Sequence, residues 1–174
     1  MQTVKIPVSI DPTRSAQTRL DIQGLIPGKQ LKRLNEVCAG DCSDVLVSLE
    51  CGQDLQGIVY LKGKAVTELT LLCQRCMTQL NTEVTVDFSF GLCKNQAEID
   101  GLPEAYDPIE CDEIGEIRLH QLIEDELITV IPLIPMHDDS SCHQGSKDMA
   151  VGEIEPVQED RPNPFAVLEK LKSK

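Results

Sequence analysis

The chain's 174 residues carry 29 Asp and Glu against 16 Lys and Arg, a net charge of −13 at pH 7, and 41% of them are hydrophobic. That share is enough to bury a core, which excludes wholesale disorder, and no apolar run approaches the roughly 18 residues that a membrane-spanning helix needs. Residues 1–7 hold no apolar stretch of the secretory kind, so a cytoplasmic location is expected.

Residues 3–23 read as an extended N-terminal arm, because Pro7 and Pro12 forbid a continuous helix. Over residues 27–37 the pattern turns helical. Pro27 suits a first turn, Leu31, Leu34 and Val37 recur at helical spacing, and Lys29, Lys32 and Arg33 fall mainly on the other face. Residues 45–90 read as a strand-rich centre. Val45, Val47, Leu49 and Cys51 alternate with Leu46, Ser48 and Glu50, the period of a strand. Residues 58–61 and 65–72 read as the two arms of a hairpin turning at Lys62-Gly63-Lys64. Val84, Val86, Phe88 and Phe90 alternate with Thr85, Asp87 and Ser89. At least four strands of an antiparallel sheet with one covered face are expected.

Gly101, Pro103, Pro108 and Gly115 break residues 94–115 into a long polar connection. A helix is expected over residues 116–131, with Leu119, Leu122, Ile123, Leu127, Val130 and Ile131 on its apolar side and Pro132 as its stop. Residues 138–162 are acidic and lack apolar periodicity, the composition of a mobile segment. Asn163 and Pro164 then open a short helix with Phe165, Leu168 and Leu171 on one face. The expected fold class is α+β, an antiparallel β-sheet with a C-x-x-C knuckle and a few packed helices. Residues 1–137 are expected to form a single domain with its N-terminal arm, and residues 138–174 an acidic flexible segment ending in the short helix.

The acidity is one-sided. Residues 1–94 hold ten charges of each sign, whereas residues 95–174 hold six Lys/Arg and 19 Asp/Glu. The first 33 residues are locally basic, six Lys/Arg against two Asp. Polyanion binding would use that end, and the acidic half would attract a basic partner. There is no Trp and there are only five other aromatics, too few for the stacking platforms of sequence-reading RNA modules. Phosphate-binding glycine loops and the G-x-S-x-G nucleophile elbow are absent.

Eight cysteines at irregular spacing read as reduced thiols. Cys73-Gln74-Arg75-Cys76 sits between two expected strands, where two thiolates on a tight turn can reach one tetrahedral ion. One pair is half a site. His137 and Cys142 are the candidates to complete it, with His143 as a substitute, so the metal-ligand set is Cys73, Cys76, His137 and Cys142, and the implied cofactor is zinc. Plain reduced thiols and a redox couple are the other readings of the pair. The redox reading meets an objection, because thioredoxin-like pairs open a helix and a strand follows here. Cys38 and Cys42, like Cys51, Cys93 and Cys111, read as structural thiols. Glu110, Asp112, Glu113, Glu116, Glu124, Asp125 and Glu126 read as solvated surface or a docking face for a basic protein, because a loop and an exposed helix face do not converge carboxylates into a cleft. His120 reads as a surface or boundary residue.

One bacterial family shares this ordered set. Asp11-Pro12 with Arg14, the Cys73-Gln74-Arg75-Cys76 pair, Leu102-Pro103-Glu104-Ala105-Tyr106, Gly115-Glu116-Ile117, Pro132 to His137, and Asn163-Pro164-Phe165-Ala166-Val167-Leu168 all match it. The chain resembles the YceD family of large ribosomal RNA subunit accumulation proteins along essentially its whole length. The resemblance implies a non-enzymatic role in ribosome biogenesis: the synthesis, processing or stability of 23S rRNA for the large subunit. It also suggests a zinc site built on the Cys73/Cys76 pair. Implied partners are 23S rRNA or a pre-ribosomal particle and a basic ribosomal protein, with no membrane. Two alternatives are a thiol oxidoreductase using Cys73 and Cys76 and a zinc-stabilised adaptor without a ribosomal role.

Overall fold

The computed structural model of the chain describes residues 4–40, 42–138 and 140–142. Its centre is one sheet in the order β1-β2-β3-β4-β5, made of β1 (Leu20–Ile26), β2 (Val45–Gln53), β3 (Val59–Leu72), β4 (Gln79–Leu92) and β5 (Asp107–Ile109). The first three pairings are antiparallel, and β5 lies parallel to the end of β4. Among the described residues, four α-helices accompany it: α1 (Pro12–Gln17), α2 (Lys32–Val37), α3 (Gln96–Asp100) and α4 (Leu119–Thr129). The class is α+β as the sequence indicates, although the sheet is mixed because of β5.

The buried face of the sheet carries Val45, Val47 and Leu49 from β2, Leu61, Ala65, Leu69 and Leu71 from β3, and Val84, Val86, Phe88 and Phe90 from β4. Leu119, Ile123 and Leu127 of α4 join this core and are fully enclosed. Each such aliphatic side chain contributes about 1.5–3 kcal/mol by leaving water. The spacing of those three α4 residues keeps them on one stripe of the helix.

Several segments differ locally from what their sequence indicates. Residues 3–23 are not one extended arm. The Asp11 carboxylate accepts the Arg14 amide at 3.0 Å and Pro12 occupies the first helical turn, so α1 forms, and β1 follows it to pair with β2. A proline that ends one helix is well suited to begin another. Residues 27–37 are likewise not one helix but a 3-10 turn (Gly28–Gln30) followed by α2.

The hairpin at Gly63 does not exist, since β3 runs unbroken through that residue. A Cβ at position 63 would lie 2.5 Å from the Phe88 ring and 2.6 Å from the Ser48 carbonyl oxygen. The glycine makes room for a ring on the next strand rather than a turn. The β2–β3 turn lies earlier, where Gly57 has φ +86° and the Asp54 carboxylate accepts the amides of Gln56 and Ile58 at 2.9 Å each. The connection over residues 94–115 contains α3, capped by Asn95, and β5.

Glu124 also departs from what its sequence neighbourhood indicates. It is not on a solvated acidic face but is 7% exposed, and one of its oxygens accepts the amides of Arg33 at 2.7 Å and Leu34 at 3.0 Å. Leu31, the residue before helix α2, has no polar side-chain atom to cap it, so a carboxylate from α4 serves instead. Arg33 also pairs with Asp125, which draws that arginine out of the basic face read from the sequence. His120 is a boundary residue, its Nε2 lying 3.1 Å from the Ile6 carbonyl oxygen. The mobile stretch expected over 138–162 and the short helix from Asn163 lie, beyond Cys142, outside the described residues.

Candidate metal centre

The segment Cys73 to Thr78 reverses the chain between β3 and β4. Two backbone bonds close it: the Cys73 amide donates to the Thr78 carbonyl, and the Met77 amide donates to the Cys73 carbonyl, each at 2.9 Å. Met77 lies in the left-handed region at φ 58°, which lets the turn close within so few residues. A second segment crosses it after α4, held where the Gln74 amide donates to the Pro135 carbonyl at 2.9 Å. That crossing delivers His137 to the knuckle.

The sequence-selected residues come together. One donor atom each from Cys73, Cys76, His137 and Cys142 lie within 4.8 Å of one another, with Cys73 and Cys142 buried and the other two half-buried. The His137 ring has its Nδ1 3.4 Å from the Cys76 sulfur, while its Nε2 lies 3.1 Å from the Gln79 carbonyl oxygen. A carbonyl only accepts, so in the neutral ring Nε2 carries the proton and Nδ1 is the nitrogen left to face the cluster with its lone pair. The fourth ligand alternative, His143, lies outside the described residues.

The surroundings favour thiolate at this pair. Burial pushes the Cys73 thiol up, but the backbone amides of Cys76, His137 and Arg75 outweigh it and hold the group at about 5. The Thr78 hydroxyl, 3.1 Å from the Cys76 sulfur, lowers that thiol. The neighbouring sulfurs, that of Cys73 first, raise the His137 imidazole. Elsewhere the direction reverses. Burial pushes Cys42 and Cys51 up to about 11 each, and it also raises Cys38, Cys93 and Cys111. Three sulfurs and one imidazole form a donor set that could hold a metal ion. Thr78 and the Gln79 carbonyl are parts of the site that the sequence did not single out. Their only signal is that they directly follow the cysteine pair.

The family model described as "Large ribosomal RNA subunit accumulation protein YceD" matches residues 61–172. A relative from Haemophilus influenzae, named "Large ribosomal RNA subunit accumulation protein YceD", is 40% identical over 174 residues, covering all of both chains. No solved structure matches the chain. Among the described residues, no helix is long and apolar enough to cross a membrane.

Proposed function

The chain belongs to the YceD family of large ribosomal RNA subunit accumulation proteins, and from that membership we propose that it supports the synthesis, processing or stability of 23S rRNA as a non-enzymatic assembly factor. The full-length identity to a relative bearing that name carries the reading. It acts in the cytoplasm, on 23S rRNA or a pre-ribosomal particle, through contacts that include a basic ribosomal protein. Its acidity supports that last partner, since 19 of 29 carboxylates lie in residues 95–174.

Cys73, Cys76, His137 and Cys142 would hold zinc, which favours tetrahedral sulfur and nitrogen ligands. The observed donors fit. Sulfurs around such an ion stand about 3.8 Å apart given the usual bond length, and these lie within 4.8 Å of one another. The ion's contribution is structural: it joins the β3–β4 knuckle to the segment that follows α4. Residues 1–137 act as one domain built around that knuckle, with residues 138–174 as an appended segment.

Affinity capture of the tagged full chain from growing cells at physiological salt tests the assembly role. Recovery of large-subunit precursor rRNA or its proteins is expected, and recovery of no ribosomal component would overturn it. The low thiol value at Cys73 favours a second reading, a thiol oxidoreductase cycling a Cys73–Cys76 disulfide. That reading requires the pair to be free of metal, so one tightly held zinc per chain would remove it.

A further inference from the structure

Among the described residues, one margin of the sheet is unpaired. β4 pairs with β3 along one side from Gln79 to Gly91, but along its other side it meets β5 only at Phe90, Gly91 and Leu92. At the far end, the His137 ring takes up the Gln79 carbonyl. Between these points, the outward backbone groups of residues 80–89 have no partner among the described residues. That stretch exceeds the five or six residues of an ordinary strand, roughly twofold.

Open edges attract further strands, and proteins guard them with Lys, Pro, bulges or covering segments. The other two edges of this sheet are guarded. Residues 4–6 cover part of β1, where the Leu25 amide donates to the Val4 carbonyl at 2.9 Å and the Ile6 amide to the Leu25 carbonyl at 3.2 Å. β5 is three residues long and contains Pro108. Residues 80–89 contain neither Lys nor Pro, and their register with β3 is continuous.

The charge on this margin selects an occupant. Glu83 stands directly opposite Glu68 on the outer face, both exposed, and no Lys or Arg pairs with either among the described residues. Facing like charges oppose strand pairing. A Lys or Arg on a neighbouring strand would relieve the repulsion, because directly opposed residues stand about 5 Å apart. Apolar side chains are exposed on the stretch whose last residue, His137, reaches the Gln79 carbonyl at one end of this margin. α4 packs against β4, and the stretch leading from it to His137 exposes Val130, Leu133 and Ile134, the last two at 100% and 63%.

We propose that residues 80–89 of β4 are a docking edge for an extended basic segment of a partner protein, which adds as a further strand with a Lys or Arg beside Glu83. The inference rests on the proposed assembly role only for the partner's origin; the edge and its charge are independent of it.

The probe is a labelled peptide of alternating lysine and valine, titrated by anisotropy into the full chain, with hydrogen exchange reading the site. Expected are salt-sensitive binding, protection confined to residues 80–89, and affinity about five- to tenfold weaker in Glu83→Lys. That variant exchanges a repulsive pair for an attractive one, so unfolding would not explain the loss. Equal binding of a proline-interrupted peptide, protection elsewhere or unchanged affinity of Glu83→Lys would overturn the proposal. So would occupation of the same edge by a second copy or by single-stranded RNA. No arm uses a ribosome, so failure here leaves the rRNA role standing, and a normal rRNA balance in deletion cells leaves the docking edge standing.

Discussion

Cys73 and Cys76 differ from the chain's other cysteines in what their sulfurs face. Amides and a hydroxyl point at this pair, whereas burial alone dominates at Cys42 and Cys51. Without metal at pH 7, iodoacetamide should label the half-buried Cys76 well before Cys42 or Cys51, and peptide mass spectrometry reads the order. Equal labelling of Cys51 and Cys76 in folded chain would contradict this. The raised groups also set an alkaline limit. Between pH 9 and about 11 the folded chain keeps protons on Cys42 and Cys51 that the unfolded chain has released. Stability therefore falls as pH rises through that window. Urea melts across it should show the decline, with a shallower slope in Cys51→Ala. A stability that holds constant up to pH 11 would contradict the assignment.

At the scale of single elements, Glu124 and Gly63 do work that their sequence neighbourhoods conceal. Glu124→Ala removes the cap of α2 from a buried position and should cost about 1–3 kcal/mol in urea unfolding. A loss no larger than that of an exposed carboxylate would contradict the cap. Glu83→Lys should move the other way, gaining about 0.2–1 kcal/mol by pairing with Glu68. Thermal melts check this, and a lowered midpoint would remove the repulsion argument.

These residues show where reading the sequence succeeds. Alternation revealed β2 and most of β4 because their buried faces carry Val, Leu and Phe at every second position. The cysteine pair was legible because its two-residue spacing is local. Gly63 was misread as a turn because its reason lies on another strand, in the Phe88 ring. Glu124 was misread because its partners are the amides of a helix 90 residues away. α1 is hidden in the sequence because Pro12 reads as a helix breaker, whereas it occupies the first helical turn.

At the scale of the whole molecule, the knuckle joins distant parts of the chain. Cys73 and Cys76 lie between the two longest strands, and His137 and Cys142 follow the last described helix. One metal ion there would restrain the loop of about 60 residues that separates the two ligand pairs, α4 included. The purified chain should carry one zinc by elemental analysis, and Cys73→Ser/Cys76→Ser none, with a lower melting temperature. Equal metal content in the two would contradict the ligand set.

The proposed rRNA role is tested by the ratio of 23S to 16S rRNA in cells lacking the protein. A selective 23S deficit that the wild-type chain restores is expected. An unchanged ratio in those cells would contradict it.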